Sequence, residues 1–413
     1  MILNPLQGKR IVLGVTGSIA CYKAADLASK LTQQGALVDT ILTDAAQQFI
    51  TPLTFQSVTG RRAYGNADLW GNEAHVLHVG LGHKADLLVI APATANTLAK
   101  LAQGQSDDLL SVTALAATCP LVIAPAMDGG MFSHPATQAN LQTLDARGAT
   151  IVGPEEGHLA SGLVARGRMA EPLALVGQIR YHLARGGPLA GCHVVVTAGG
   201  TREAVDPVRY LTNHSSGKQG YAVAQAALDA GADVTLISTT SGLATPTGAQ
   251  LVAVASAQQM LEAVLVATAS ADVLIMAAAV ADFRPAEIAA QKIKKLQGTP
   301  QLALAANPDI LATVAAQRHA GERLKMVVGF AAETQNLLEN AQSKLARKKL
   351  DLIVANDVTA TNAGFGVDTN LVTLLRNDGS TTTFPLQSKA EVAAQIIDEV
   401  IEKLQDIKTS TGE

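Results

Sequence analysis

One pattern of buried strand and small-residue turn runs through this chain twice in the same order, and that repeat limits the architecture more than any other feature. "KRIVLGVTGS" at 9–18 returns as "CHVVVTAGGT" at 192–201. "GALVDTILT" at 35–43 returns as "GADVTLIST" at 231–239, and "ADLLVIAPATAN" at 85–96 as "ADVLIMAAAVAD" at 271–282. Amphipathic stretches separate these Val/Ile/Leu runs. Strands apolar on both faces that alternate with helices predict a parallel sheet wrapped by helices. The chain is therefore expected to be α/β, with two doubly wound domains at 1–188 and 189–413. Their seam falls in "ARGGPLAG", 184–191, where glycines and a proline interrupt the helical pattern. With 413 residues, 48% of them apolar, each half can bury a full core.

A formal charge of -4 leaves no broad basic surface of the kind a general nucleic-acid binder needs, so an anionic ligand has to be met by local clusters. Three cysteines, at 21, 119 and 192, form no CxxC pair and no metal-ligand spacing. Neither a disulfide framework nor a zinc site is expected, and a cytoplasmic location is. The longest wholly apolar run, 273–281, is about half of a membrane span, and "MILNPLQGKR" lacks a signal peptide's apolar segment. No membrane association or export is expected.

In doubly wound sheets ligands bind beyond the carboxyl ends of the strands, so the candidate residues lie in the turns that follow them. In the first half these turns carry Gly17 and Ser18, Thr43, "APATAN" from 91 and "APAMDGGM" from 124. In the second they carry "TAGGTRE" from 197, "AAVADF" from 278, "GFAAET" from 329 and "ANDV" from 355. The stretch "LTNHSSGKQG", 211–220, ends like a phosphate-binding loop. It is not a P-loop, because Thr212 stands where the first glycine belongs and Gln219 where the magnesium-holding hydroxyl belongs. It can still seat an anion on a helix N-terminus.

Longer motifs carry a family resemblance. "GSIACYK" from 17, "HVGLGHKADL" from 78, "APATAN" and "PAMDGGM" from 125 resemble the flavin-dependent cysteine decarboxylases. "TAGGTRE", "DPVRYLTNHSSGKQG", "AAAVADFRP", "KIKK", "NPDI" and "VVGFAAET" resemble, in family order, phosphopantothenate-cysteine ligase. Together, over roughly residues 8–405, they resemble the bifunctional coenzyme A biosynthesis enzymes of bacteria. The resemblance implies a flavodoxin-like decarboxylase domain followed by a Rossmann-like ligase domain. Its implied partners are CTP, cysteine, 4'-phosphopantothenate and 4'-phosphopantothenoylcysteine, and its implied cofactors are FMN and Mg. It also implies a homo-oligomer, with trimers of the flavin domain and dimers of the ligase domain.

For the ligase, the resemblance implies that CTP activates the acid as an acyl-cytidylate that the cysteine amine then attacks. Lys292, Lys344 and Lys348 match triphosphate-contacting lysines, and Asp282 matches an acidic residue suited to magnesium or the ribose. Phe330 matches an aromatic position near the cytosine. Asn307, Pro308, Asp309 and Ile310 match the segment that discriminates the base, and Asn213 matches the asparagine that turns over the acyl-cytidylate.

For the decarboxylase, loss of CO2 would leave a carbanion with no adjacent electron sink, which is the chemical reason for a flavin. Gly17, Ser18 and Thr43 match positions near the FMN phosphate and ribityl chain, Thr94 and Asn96 the turn by its ring, and Met127 the Pro-Ala-Met motif. His78 matches the histidine of the oxidative decarboxylation. Asp128 stands where the motif usually has asparagine, and Ser161 where many members have a proton-donating cysteine. Asp128 could work as a carboxylate or, protonated, as a stand-in for the asparagine donor. Ser161 is a far weaker acid than a thiol, which points to loop closure, with water or His78 supplying the proton. Two other readings compete: a non-catalytic flavin module beside an active ligase, and a nicotinamide dehydrogenase. The last lacks a complete GxGxxG turn with its following acid.

Overall fold

The computed structural model describes residues 3–70, 76–294, 301–318, 323–333, 337–357, 364 and 366–411; Lys295, Thr334 and Val358, which close three of the motifs, lie outside the described residues. Two compact units divide the chain, Asn4–Leu183 and, apart from the first three residues, Ala184–Glu413.

In the first unit the strands β1 (Arg10–Val15), β2 (Leu37–Leu42), β3 (Ala63–Tyr64), β4 (Leu87–Ala93), β5 (Leu121–Pro125) and β6 (Thr150–Ile151) form one sheet in the order β3-β2-β1-β4-β5-β6. All its neighbours are parallel. Setting aside the two-residue β3, this is the flavodoxin order. A separate antiparallel hairpin pairs β7 (Glu155–His158) with β8 (Val164–Arg168). The helices are α1 (Cys21–Gln33), α2 (Pro52–Thr59), α3 (Leu77–Lys84), α4 (Ala95–Gln103), α5 (Leu109–Ala116), α6 (Gly129–Ser133), α7 (Pro135–Ala146) and α8 (Pro172–Ala184). Successive strand residues point to opposite faces and so feed two cores. Leu13, Val89 and Val122 pack with Leu27 of α1 and Ile179 of α8, whereas Val12, Ile90 and Ile123 pack with Leu98 of α4 and Leu141 of α7.

In the second unit β9 (His193–Ala198) opens the sheet, and β10 (Arg202–Ala204) and β11 (Tyr210–Thr212) form a small hairpin beyond it. The chain continues through β12 (Asp233–Ser238), β13 (Ala249–Ala253) and β14 (Val273–Met276), then the hairpin of β15 (Phe283–Pro285) and β16 (Leu304–Ala306), then β17 (Met326–Glu333) and β18 (Leu352–Asp357). After these come β19 (Thr369–Asn370), β20 (Val372–Arg376), β21 (Thr381–Thr383) and β22 (Gln387–Ser388). The sheet order is β13-β12-β9-β14-β17-β18-β20-β21. Its first six strands are parallel in the Rossmann order, and β20 and β21 extend the edge antiparallel. The helices are α9 (Lys218–Asp229), α10 (Ala257–Thr268), α11 (Ile310–Gln317), α12 (Leu337–Arg347) and α13 (Lys389–Thr411). Met260 and Val264 of α10 and Ile310 and Val314 of α11 close a core with Val195, Leu274 and Val327.

Helix α9 lies unusually close to the first strand. A Cβ on Gly220 would stand 2.6 Å from the Cβ of Ala198 and 2.8 Å from the carbonyl of Thr197, mostly backbone that cannot move aside. Gly220→Ala should therefore lower the thermal unfolding midpoint by the equivalent of about 1–3 kcal/mol. A midpoint equal to the wild type's would contradict the close approach.

Candidate active sites

Strand order reverses in the first unit between β1 and β4, which opens a crevice at their carboxyl ends. Thr16, 1% exposed, ties the two rims together. Its hydroxyl donates to the carbonyl of Pro92 at 2.8 Å and accepts the N–H of Thr94 at 3.0 Å. Gly17 follows, and a Cβ there would fall 2.5 Å from that of Ala45, so the turns after β1 and β2 touch only because residue 17 has no side chain. Three predicted hydroxyls organise these turns. Ser18 accepts from Ala20 N–H at 3.3 Å, Thr43 from Ala46 N–H at 3.2 Å, and Thr94 caps α4 by accepting from Thr97 N–H at 3.3 Å. Asn96 sits exposed in the first turn of α4.

His78 is the second residue of α3, half-buried, and its Nδ1 is buried with no hydrogen-bond partner. An orphaned imidazole nitrogen is expensive unless something else engages it. Met127 meets the hairpin directly: its N–H donates to Gly167 O at 3.0 Å, and a Cβ on Gly167 would lie 2.2 Å from the Met127 carbonyl. Asp128 then caps α6, with Oδ1 accepting from Gly130 N–H at 3.0 Å. Its Oδ2 accepts the Ser161 hydroxyl at 2.6 Å, across 33 residues of chain. The Ser161 hydroxyl, and after it the Gly130 N–H, hold the Asp128 carboxyl below its ordinary value. Of the two states open for Asp128, these contacts favour the carboxylate. At its base the hairpin is fastened by Lys23, 4% exposed, whose Nζ donates to Met169 O at 2.9 Å and to Glu171 at 3.0 Å.

The second unit reverses strand order between β9 and β14. A cavity of about 820 Å³ borders the loop 212–219, the turn after β14, the segment from Asn307, and α12. Threonines again stitch the crevice: Thr197 Oγ1 accepts from Ala278 N–H at 3.1 Å and Thr201 Oγ1 from Ala281 N–H at 2.9 Å. Gly217 caps α9 at φ 79°, the left-handed region that glycine enters without strain, and this turns the loop's last amides into the helix. Asn213 donates through Nδ2 to Ala279 O at 3.0 Å. Asn307 holds the same turn from the other side, through Nδ2 to Ala281 O at 2.8 Å and through its N–H to Asp282 O at 2.8 Å.

Asp309 caps α11 and pairs with Lys348 Nζ at 3.0 Å. Burial pushes its carboxyl up, but Ala312 N–H and Lys348 outweigh that and leave it below the ordinary range. Lys344 Nζ donates to Phe330 O at 2.7 Å. Asn213, Asp282, Asn307, Pro308, Asp309, Ile310, Phe330, Lys344 and Lys348 thus all border one cavity.

Lys292 does not border it: the side chain is exposed, and the next residue, Ile293, is bonded to Asp206 through its N–H and to Arg209 through its carbonyl. Among the described residues no group of three or more His, Cys, Asp or Glu could hold a metal. Within the quoted motifs the structure gives Thr16, Thr197 and Thr201 the part of ties, sets Lys23 beneath the hairpin and puts Asn356 in the cavity lining, and it adds Arg347 and Lys389 to that lining. Asn356 Oδ1 is buried without a partner. Periodicity could not have singled these out, because each reads as ordinary strand-end or helix-face chemistry.

The first unit matches a family model described as Flavoprotein over residues 3–183, and the second matches DNA/pantothenate metabolism flavoprotein C-terminal domain over 189–404. Fold and matches together define a flavoprotein unit joined to a pantothenate-metabolism unit. The Coenzyme A biosynthesis bifunctional protein CoaBC of Bacillus subtilis (strain 168) is 46% identical over 400 residues, which is 96% of this chain and 97% of that protein. The protein of the same description from Mycobacterium tuberculosis (strain ATCC 25618 / H37Rv) is 45% identical over 405 residues, 95% of this chain and 96% of that protein. Among solved structures, the C-terminal domain of a CoaBC protein is 40% identical, covering 53% of this chain and 99% of that one at a TM-score of 0.45. The FMN-dependent cysteine decarboxylase SpaF is 34% identical, covering 43% and 97% at a TM-score of 0.38. The chain belongs to the family of bifunctional coenzyme A biosynthesis proteins, enzymes that join a ligase to a decarboxylase.

The Asp128–Ser161 contact predicts a titration. In an isotope-edited NMR titration the Asp128 midpoint should lie below the ordinary carboxylate value of about 3.9, and Ser161→Ala, which removes the larger cause, should move it upward. A midpoint that ignores the substitution would mean that the hydroxyl does not bond the carboxylate.

Proposed function

We propose that the second unit ligates cysteine to 4'-phosphopantothenate at the expense of CTP, and that the first unit then decarboxylates 4'-phosphopantothenoylcysteine to 4'-phosphopantetheine. The observation that carries the ligase reading is the convergence on one cavity of Asn213, Asp282, Asn307, Phe330, Lys344 and Lys348, residues that the family motifs single out far apart in sequence. In the first half-reaction a carboxylate oxygen of the acid attacks the α-phosphorus of CTP, and the bond to the β-phosphate breaks as pyrophosphate leaves. Lys344, Lys348 and the adjacent Arg347 offset the negative charge that this brings together. Asp282, exposed and acidic, is the proposed holder of Mg with the phosphates. Lys292 is proposed to reach the triphosphate as well, on the strength of the resemblance alone.

In the second half-reaction the cysteine amine attacks the acyl carbon and CMP leaves. Asn213 spends one of its two amide hydrogens on Ala279 O. The other remains for the oxygen that gains charge as the amine adds.

For the first unit, FMN is the proposed cofactor and would supply, when bound, a temporary electron acceptor that lets the substrate thiol be oxidised so that CO2 can depart, the two electrons then returning to the product so that the reaction is redox-neutral overall. Gly17, Ser18 and Thr43 would hold its phosphate and ribityl chain, and Thr94, Asn96 and Met127 would border its ring. The orphaned Nδ1 of His78 fits such a group. The Ser161 hydroxyl, committed as a donor to Asp128, serves to hold the hairpin tip down, and the proton for the product comes from water or His78. Asp128, acceptor-only when ionised, takes a hydrogen bond from the substrate amide and crowds the departing carboxylate. A cytoplasmic homo-oligomer, trimeric through the flavin unit and dimeric through the ligase unit, completes this reading.

The ligase mechanism is tested at Asn213. Asn213→Asp keeps the shape but removes both amide hydrogens, so acyl-cytidylate should form and then be consumed about 10²–10³-fold more slowly. Pyrophosphate released without matching CMP is the expected result, and equal release of the two at the wild-type rate would contradict the role.

A further inference from the structure

Lys389, the first residue of α13, stands where a cation is out of place on three counts. Its side chain is 7% exposed, it sits at a helix N-terminus whose dipole repels positive charge, and Lys218 lies nearby. Burial, and after it Lys218, push its ammonium below the ordinary lysine value, with Asp368 opposing. A neutral side chain would avoid all three costs. Positions that break local rules in this way are where a functional demand is expected.

Its contacts form a closed ring. Nζ donates to the carbonyls of Gly364, at 3.1 Å, and of Val367. The Lys389 carbonyl accepts from Gln219 Nε2 at 3.1 Å, and Gln219 Oε1 accepts from Asn370 Nδ2 at 2.8 Å. Asn370, 2% exposed, returns to Gly364 by accepting its N–H at 3.1 Å. Gln219 is the second residue of α9, directly after Gly217 and Lys218. The ring therefore bolts the first turn of α9 to Gly364, Val367 and Asn370, and Lys389, Gln219 and Asn370 all border the 820 Å³ cavity.

We infer that Lys389 is a positioning residue for CTP: it fixes the loop at Gly217 and Lys218 through Gln219 and places a buried positive charge behind it. This rests on the reading that the cavity accepts CTP. Among the described lining residues are the cations Lys218, Lys344, Arg347, Lys348 and Lys389 and the acids Asp282 and Asp309, while Asp368, outside the lining, pairs with Lys218 at 2.7 Å, so positive charge remains in excess. Low-dielectric walls focus such a field on an incoming polyanion. Lys389 is the buried member of that set, held by main-chain carbonyls that leave its charge unneutralised.

The test uses the full-length protein with Lys389→Met, which keeps length and removes charge and donors. The KM for CTP in CMP formation should rise about tenfold, with the KM for cysteine changed less than about twofold and decarboxylation in the first unit unaffected. Lys389→Arg, which keeps the charge, should recover most of the loss. A folded Lys389→Met protein with the wild-type KM for CTP would overturn the inference, and so would an equal rise in KM for every substrate, the mark of a general structural loss. Should the methionine variant fail to fold, Gln219→Leu breaks the ring without altering charge. It should raise the KM for CTP about threefold, and an unchanged value would overturn the positioning role. A wild-type protein that forms no CMP from CTP would sink the ligase reading itself and this inference with it. Wild-type turnover matched by the Lys389→Met variant would sink the inference alone.

Discussion

Buried threonine hydroxyls that bridge the reversal of strand order hold both sites in shape. In the first unit Thr16 joins the end of β1 to the turn after β4. In the second, Thr197 and Thr201 join the end of β9 to the turn after β14. At such a reversal the neighbouring crossovers leave to opposite sides, so the crevice has no helix of its own to brace it. The amides and carbonyls of its far rim need partners, and a threonine hydroxyl on the near rim, both donor and acceptor, can engage one of each. The turns that carry Gly17, Thr94, Asn213 and Asp282 inherit their positions from these ties.

The two sites then differ in electrostatics. The chain as a whole carries a formal charge of -4, yet among the described residues the cavity of the second unit borders five Lys or Arg side chains and two acids. Local concentration of charge in a concave site is what a reaction between two anions requires, and nothing in the bulk composition foretells it. The first unit relies instead on hydroxyls, main-chain proximity and one carboxylate. Asp128 is kept charged by Ser161 and Gly130, and that same bond closes the tip of the β7–β8 hairpin. A hydroxyl at 161 makes this bond more strongly than a thiol, a weaker hydrogen-bond donor, would.

Much of this was readable in the chain. The doubled series of strand and turn specifies two sheets, and "LTNHSSGKQG" marks the loop that leads into α9. Positions carried over from family motifs reach the cavity even where 135 residues separate Asn213 from Lys348, because the Rossmann order returns every strand end to one edge. What sequence could not supply is pairing at a distance. Ser161 and Asp128 lie on separate motifs, and only the hairpin brings them within 2.6 Å. Lys389 reads as the solvated start of an amphipathic helix, and its burial depends on Gly364 and Val367 folding back over it. The antiparallel strands β20 and β21 follow the last parallel strand without a pattern that marks their direction. Lys292 shows the converse: a motif lysine whose place in this chain is exposed and outside the cavity lining.

The proposed function has one chain perform two consecutive reactions at two switch points, and a single labelled atom follows both. The purified protein, supplied with 4'-phosphopantothenate and cysteine labelled in its carboxyl carbon, should release labelled CO2 only when CTP is added, with one CMP formed for each CO2. CMP formation without labelled CO2 would contradict the account by leaving the first unit a flavin-binding module without catalysis.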